Sequence, residues 1–486
     1  MEEQFDVLII GAGISGINAA YRLQSQFPHY RYAILEARDQ LGGTWDLFKY
    51  PGIRSDSDLF TFGFAWYPWD QDNPIAEGSS IIGYLHRATA SKGIDRRIRY
   101  QHRLLGADWS SSEKRWSLAV EHAGRSQSMS ARFIIFGTGY YDYQQPLQAD
   151  IPNLTQFNGQ IIHPQFWPED LDYSGKRVVI IGSGATAITL LPKMAEKAAR
   201  VTMLQRSPTY ILSLPNRQRS LLRYILPTAW FRQLQRILWL FTARFFFLFC
   251  QACPTVARAI LRVQVSQQLP KAVSLAPHFV PRYNPWDQRL CVCPDGDFFK
   301  ALHHGVADVR TDTIKTVTAT GIQLYSGNTL EADIIVTATG LRLQVAGGAS
   351  ITVDGIPQHL SQKFLWRGIM MQDIPNAAFV LGYTNASWTL GADATARFLC
   401  RFLRELDTRE QAAAVPRLRP DEAQNLQRKP LMNLNSTYVV RAAENLPKTA
   451  DQGPWVPRDN YLQDLWFAKF GSLEGLEFIE EAKKAQ

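Results

Sequence analysis

Cysteine is scarce, with five residues in 486: Cys250, Cys253, Cys291, Cys293 and Cys400. Thiols at these spacings make no disulfide framework, so a reducing, cytoplasmic setting is expected. Cys250-Gln-Ala-Cys253 has redox or zinc spacing, but no second pair or histidine stands beside it, and burial for packing is expected instead. The nine histidines are scattered without ligand spacing, so the sequence proposes no metal site. A first strand beginning at Phe5 leaves no stretch that reads as a secretory leader. Acid is missing from one long segment. Between Glu196 and Asp287 there is none, against thirteen lysines and arginines, so the net charge of +8 is unevenly spread. No nucleic-acid motif accompanies this excess. A phosphorylated ligand or an anionic membrane surface is the expected partner, and nucleic acid is not.

The rest of the composition is ordinary for a folded chain, 46% apolar and 20% charged, and the length suits two or three domains. Phe5-Asp-Val-Leu-Ile-Ile reads as a buried strand, Gly11-Ala-Gly13-Ile-Ser15-Gly16 as a turn, and Ile14 to Gln24 as a helix. A second strand, Tyr32 to Leu35, then delivers Glu36, twenty residues after the last glycine. This is a βαβ unit whose acid can reach an adenosine ribose and whose glycines let a pyrophosphate approach the helix N-terminus. Near the start of a chain it points to FAD.

A second unit repeats the logic. Arg177 to Ile181 is a strand, Gly182-Ser183-Gly184-Ala185-Thr186-Ala187 the loop, and a helix runs on to Ala199. The next strand ends in Gln205-Arg206-Ser207 instead of an acid. A cation and a hydroxyl suit a 2′-phosphate, which favours NADPH over NADH.

Between the two units lies Phe157-Asn-Gly159-Gln-Ile-Ile-His163-Pro-Gln-Phe-Trp167-Pro168, of the pattern F-x-G-x-x-x-H-x-x-x-W-P. Upstream, Gly42-Gly43-Thr44-Trp45 continues through Tyr50-Pro51-Gly52-Ile53-Arg54-Ser55-Asp56. Together these segments resemble the type I Baeyer–Villiger flavin monooxygenases, and the fifteen residues from Gly42 match that family's pattern at every fixed position. Ala332 to Gly340 resembles a third motif, a strand returning the chain between nucleotide domains. Tyr283 to Asp297, with Tyr383-Thr-Asn-Ala-Ser-Trp388, resembles the ethionamide-activating branch, and that similarity covers nearly the whole chain.

The resemblance implies an α/β fold of two Rossmann-like dinucleotide-binding domains with an inserted helical segment. FAD-domain residues 1–150 lead to a linker and the first part of the NADPH domain at 151–212. A helical insert follows at 213–287, then the rest of the NADPH domain at 288–375 and of the FAD domain at 376–486. It also implies catalytic roles for Arg289 and Asp56, with Gly43, Thr44, Trp45, Arg54 and Ser55 on the flavin side. His163 and Trp167 become hinge and packing elements between domains that must move. The expected reaction uses NADPH and O2 to turn linear or arylalkyl ketones into esters or lactones through a peroxide at flavin C4a, with sulfide or thioamide oxidation as a side activity. A cation about 4 Å from that peroxide, at an effective dielectric near 20, is worth about 4 kcal/mol, roughly three pKa units. It can keep the peroxide a nucleophile and stabilise the oxyanion of its adduct. One departure is Gln288, where the cyclic-ketone branch carries a lysine that helps hold the NADPH phosphate.

The rivals are an N/S-oxidising flavin monooxygenase, opposed by Trp167-Pro168 and Arg289, and a membrane-associated FAD/NADPH redox sensor without turnover. A flavin disulfide reductase lacks its C-x-x-x-x-C. Pro227 can open a helix that Cys253-Pro254 closes, with Arg232, Arg236 and Arg244 on one arc and Trp230, Ile237, Trp239, Phe241 and Phe245 to Phe249 over most of the rest. A transmembrane span would place Arg244 mid-run at a cost of roughly 2.5–3.5 kcal/mol. Burial of the apolar face and a surface helix with its arginines on lipid phosphates both remain open.

Overall fold

Val7 to Ile10 has no polar residue to offer water. In the computed structural model, which describes residues 2–217 and 220–480, this run is the buried centre of an eleven-stranded sheet. Strand β1 (Glu3–Ile10) lies parallel to β2 (Tyr32–Leu35), Val7 opposite Tyr32. Helix α1 (Ile14–Gln26) crosses between them and buries Ile17, Ala20 and Leu23, one face at helical spacing. After α2 (Thr44–Leu47), α3 (Leu59–Phe62) and α4 (Gly78–Ser91), the short β3 (Ile98–Arg99) adds beyond β2. An antiparallel meander follows, β4 (His102–Ser110), β5 (Arg115–His122) and β6 (Arg125–Phe136). β6 is long enough to leave the meander and run parallel to β1, Ile10 opposite Phe136. The loops after β1 and β6 therefore emerge side by side at the carboxyl ends of the strands, where α/β sheets bind ligands.

A second sheet begins with β7 (Gln160–Ile162). β8 (Arg177–Ile181), α5 (Ala185–Met194) and β9 (Arg200–Gln205) repeat the unit. The chain continues through β10 (Ile211–Leu214), α6 (Thr228–Ala252), α7 (Pro254–Gln268), β11 (Cys291–Pro294), α8 (Asp297–His303) and β12 (Ala307–Thr311). A small meander, β13 (Ile314–Thr318), β14 (Gly321–Leu324) and β15 (Thr329–Glu331), precedes β16 (Ile334–Thr337). The sheet is all parallel, in the order β12-β9-β8-β16-β7. The Phe157–Pro168 pattern is thus more than a linker: it supplies the edge strand β7 and buries Phe157 and Trp167 in this unit's cores. Within the insert the helices run from Thr228 to Gln268. β10 and β11 pair in parallel, Ile211 opposite Cys291, and clamp two helices bent by 115° at Cys253.

The return to the first unit comes at Ser350, not residue 376. β17 (Ser350–Val353) lies beside β4, followed by β18 (Ile356–Pro357), β19 (Leu365–Trp366), β20 (Met370–Met371) and β21 (Ala377–Phe379), which pairs with β6. The free edge of β4 accepts a strand too short for hydropathy to assign. Helix α9 (Trp388–Thr408) then packs on α1, with Asp393 buried and taking Arg22 and Arg397 at 2.8 Å each. Helices α10 (Pro420–Asn425), α11 (Thr437–Ala442) and α12 (Tyr461–Phe470) are the last α-helices among the described residues.

The faces of α6 are reversed from the burial reading, and of the surface reading the outward apolar side is present but the outward arginines are not. Arg236 Nη1 donates to the carbonyls of Phe60, Thr61 and Gly63 at 2.8, 3.2 and 2.7 Å, which α3 leaves without helical partners at its end. Arg232 donates to the carbonyls of Asp70 and Gln71, and Arg244 to that of Asp459. The arginines face the protein, so they are not free for lipid phosphates, and the aromatic side is exposed where burial was one expectation. Cys250 is buried as expected; Cys253, past the helix end, is exposed. Among the described residues no single helix is long and apolar enough to cross a membrane, and no cluster of His, Cys, Asp and Glu is placed to hold a metal ion.

Candidate active site

The first glycine loop is fixed by close packing. A Cβ on Gly16 would overlap the Gly11 carbonyl oxygen, so the third glycine lets α1 sit against the turn. Gly13 caps α1 with no side chain on its free N–H groups, and its Cα faces that of Gly43 across the loop. Glu36 is buried at the tip of β2, where its carboxylate accepts the amides of Ala12 at 2.7 Å and Arg38 at 3.0 Å. Burial pushes its pKa up, and the two amides oppose the rise. Ser15 Oγ accepts from the Trp388 indole at 2.8 Å, and Thr44 Oγ1 meets the Tyr143 hydroxyl at 3.1 Å. Trp45 packs edge-on against Phe62. These residues line a cavity of about 360 Å³ that continues to Arg54, Ser55, Asp56, Thr186 and Arg289. An uncapped helix N-terminus, a glycine floor and a carboxylate at the end of β2 fit an FAD pyrophosphate and ribose.

The second loop opens toward the same place. Gly182 has φ of +137°, and a Cβ there would overlap the Ala338 carbonyl oxygen. Gly184 caps α5 with no side-chain bond and nothing within 4 Å of a would-be Cβ, room into which a second pyrophosphate fits. Ala185 and Thr186 line the first cavity, so the N-terminus of α5 faces the flavin side. Ser183 Oγ donates to the Ser207 carbonyl at 2.8 Å, and Arg206 and Ser207 stand exposed at the end of β9. Ala187 departs from expectation: it lies on the buried face of α5 and packs in the core instead of lining a cavity.

Asp56 lies on the cavity wall, where burial pushes its pKa up to about 6 against the pull of Arg54 and Arg289 and with the push of Asp297. Among the described residues no carboxylate pairs directly with Arg289. The sequence places two carboxylates near Arg289 in the chain, Asp287 and Asp297, either of which could bridge it; Asp287 instead holds its own turn, accepting the Asn284 amide at 2.9 Å. Asp297, the other, is ion-paired with the buried Arg54, whose Nη2 also donates to the Val292 carbonyl at 3.2 Å. Asp56 therefore acts on Arg289 through its field. Burial works against the charge of Arg289, but the phenols of Tyr140, Tyr141 and Tyr438 and the Asp56 carboxylate outweigh it, so its pKa lies above the ordinary arginine value and the guanidinium is charged.

Arg289 also lines a second cavity of about 790 Å³, and with Tyr140 and Trp388 it forms the wall common to both. Tyr140 stacks on Trp388 at 4.9 Å, and its hydroxyl meets that of Tyr141 at 2.7 Å. Tyr140, Tyr141 and Tyr438 escaped sequence reading. A signal was there: Gly137-Thr-Gly139 after β6 mirrors Ala338-Thr-Gly340 after β16, and Tyr140-Tyr141 follows the first. The linker histidine is held in place, Nδ1 accepting the Gln165 amide at 3.2 Å, and burial lowers its pKa against the opposing pull of the Gly340 backbone. Gln165 in turn donates to the Asp142 carbonyl at 2.7 Å, tying this segment to the first unit.

The FAD-containing monooxygenase EthA of Mycolicibacterium smegmatis is 47% identical over 99% of this chain and 98% of its own length. The probable FAD-binding monooxygenase AlmA of Acinetobacter baylyi is 46% identical over 96% and 93%. Among solved structures, a steroid monooxygenase bound to NADP superposes with a TM-score of 0.76 at 20% identity, covering 98% of this chain and 100% of that one. The cyclohexanone monooxygenase of Rhodococcus sp. Phi1 bound to NADP+ gives 0.75 at 19%, covering 99% and 100%. Residues 5–345, which hold both glycine loops, the Asp56 motif and Arg289, match the flavin-binding monooxygenase-like family, and the chain belongs to it.

Proposed function

We propose that this FAD- and NADPH-dependent monooxygenase inserts oxygen beside the carbonyl of linear or arylalkyl ketones, a Baeyer–Villiger oxidation, with sulfide or thioamide oxidation as a side activity. One observation carries the reading: a protonated Arg289 forms the wall between the nucleotide cavity and a larger, separately lined cavity. When bound, FAD supplies the redox chemistry that takes electrons from NADPH and activates O2.

Gly11, Gly13, Ser15, Glu36, Gly43, Thr44, Trp45, Arg54, Ser55 and Asp56 would hold the flavin nucleotide. Gly182 to Thr186 would hold the nicotinamide nucleotide, with Arg206 and Ser207 at its 2′-phosphate. Arg289 would accept the negative charge that develops on the ketone oxygen, a stabilisation that strengthens in a site closed to water. Asp56, in its field, limits the net positive charge there and holds a proton more readily than an ordinary aspartate. The larger cavity is walled by Phe247, Trp286, Leu381, Met432, Leu434 and Phe467, which suits an apolar body with one carbonyl at the arginine end. Gln288 leaves Arg206 without a lysine's help, so selectivity for NADPH over NADH is expected to be modest.

The test is a ketone panel with product analysis by mass, run with NADPH and with NADH. Esters one oxygen heavier than the ketone, formed faster with NADPH, are expected. Oxygenated amines and sulfides with no ester from any ketone would assign the chain to heteroatom oxidation.

A further inference from the structure

Two helices beside the 790 Å³ cavity carry apolar side chains on their outer surfaces. On α6, Trp230, Phe241 and Phe245 are 72%, 60% and 72% exposed; on α12, Leu462, Trp466 and Phe470 are 56%, 62% and 60% exposed. The same helices wall the cavity, α6 through Phe247 and Gln251, α12 through Gln463, Trp466 and Phe467. Gln251, Gln463 and Trp466 are themselves exposed, so the cavity reaches the surface beside these outward faces. Arg244 holds the two elements together through the Asp459 carbonyl, just ahead of α12.

A helix packed only for water would turn its aromatics in and its arginines out. On α6 the arginines are engaged by loop carbonyls instead, and Trp230, Phe241 and Phe245 are left outside. The exposed cations nearby are Arg258 and Arg262 on α7, in the segment without acids, and Lys469 against the Phe470 ring, against one exposed acid, Asp459, at the junction of α6 and α12. An apolar area of this kind with cations around it complements an anionic bilayer surface. A second copy seated over α6 and α12 would close the cavity's route to the surface, whereas acyl chains would extend it.

We infer that α6 and α12 dock into the acyl boundary of an anionic lipid bilayer and that the 790 Å³ cavity opens into it, so that a lipophilic substrate reaches Arg289 without crossing water. The inference rests on reading that cavity as the substrate's route, but docking is measured without turnover, so the two readings fail separately. The holoenzyme is sedimented with phosphatidylcholine vesicles, with and without phosphatidylglycerol, beside a Phe241→Ser/Phe245→Ser/Leu462→Ser variant whose changes lie outside both cavities. Wild type is expected to bind, more tightly with phosphatidylglycerol, and the variant roughly 10- to 100-fold more weakly. The variant should keep its turnover of a short water-soluble ketone and lose it on a ketone dissolved in the vesicles. Brominated lipid gives a measurement that needs no variant: it should quench wild-type tryptophan fluorescence through Trp230 and Trp466. Failure to bind either vesicle, or no quenching, overturns the docking. So does light scattering that finds a lipid-free dimer split by the variant, since a second copy would then cover the face.

Discussion

The two glycine loops turn with nearly the same backbone and differ in what closes over them. Gly13 caps α1 at φ −80° and ψ −175°, and Gly184 caps α5 at −78° and −176°. Around the first, Gly43 packs at van der Waals distance, Trp388 bonds to Ser15, and the acid at the end of β2 is buried. Around the second, nothing lies within 4 Å of where a Gly184 Cβ would stand, and Arg206 and Ser207 are exposed, Arg206 reaching the Thr437 hydroxyl at 3.3 Å. One turn has been built twice, once as a closed holder and once as an open one. A closed holder suits a resident FAD, and an open one suits a nicotinamide that must leave every cycle.

The largest effect that would break this contrast is at the third small residue of each loop. Gly16→Ala should cost about 2–4 kcal/mol and release FAD, read from the melting temperature and the flavin retained after gel filtration. Ala187→Gly, its counterpart, should cost about 1 kcal/mol and keep FAD. Equal losses would mean that the loops are not differently packed. Next comes the place where the units meet. Arg289→Ala should lower ester formation roughly 100- to 1,000-fold, while NADPH still reduces the flavin and oxygen leaves as hydrogen peroxide. Substantial ester from this variant in a rapid-mixing assay would remove Arg289 from the chemistry.

Smaller is the effect on cofactor choice. Charge-assisted hydrogen bonds are worth about 1.5–3 kcal/mol, so Arg206→Ala should raise KM for NADPH roughly 10- to 100-fold and leave that for NADH unchanged. A parallel loss for both would make Arg206 structural. Smallest is a pH effect on stability. Asp56 is raised from 3.8 to about 6 in the folded chain, so the fold binds the extra proton and ionisation opposes it. Its contribution is therefore unfavourable above pH 6 and is relieved as pH falls from 6 toward 4. Asp56→Asn should stabilise the protein above pH 6, on the order of 1–2 kcal/mol, and by nothing near pH 4. Denaturant titrations at both pH values check the sign.

Both loops and Glu36 were legible because a tight turn constrains its own few residues. Arg289 and Asp56 were named only through resemblance to a family, since nothing in their local spacing brings residues so far apart to one wall. Tyr438 and Trp388 come from the last third of the chain, and only the folded sheets place them beside Arg289. The arginine arc of α6 shows a different limit. Periodicity revealed two faces, but not which was covered, because the answer lay in the carbonyls that α3 leaves at its end. The return at Ser350 was hidden for the same reason, an edge on β4 that exists only in the assembled sheet.

The ion pair between Arg54 and Asp297 joins a loop of the first unit to the start of α8 in the second. Any rotation of one unit against the other must carry this pair along or part it. Parting it would leave Arg54, a buried cation, with Asp56 as the nearer carboxylate and draw that residue's proton affinity down. A hinge movement would then be felt as a change of charge beside Arg289, and the position of the domains would be written into the acidity of one aspartate.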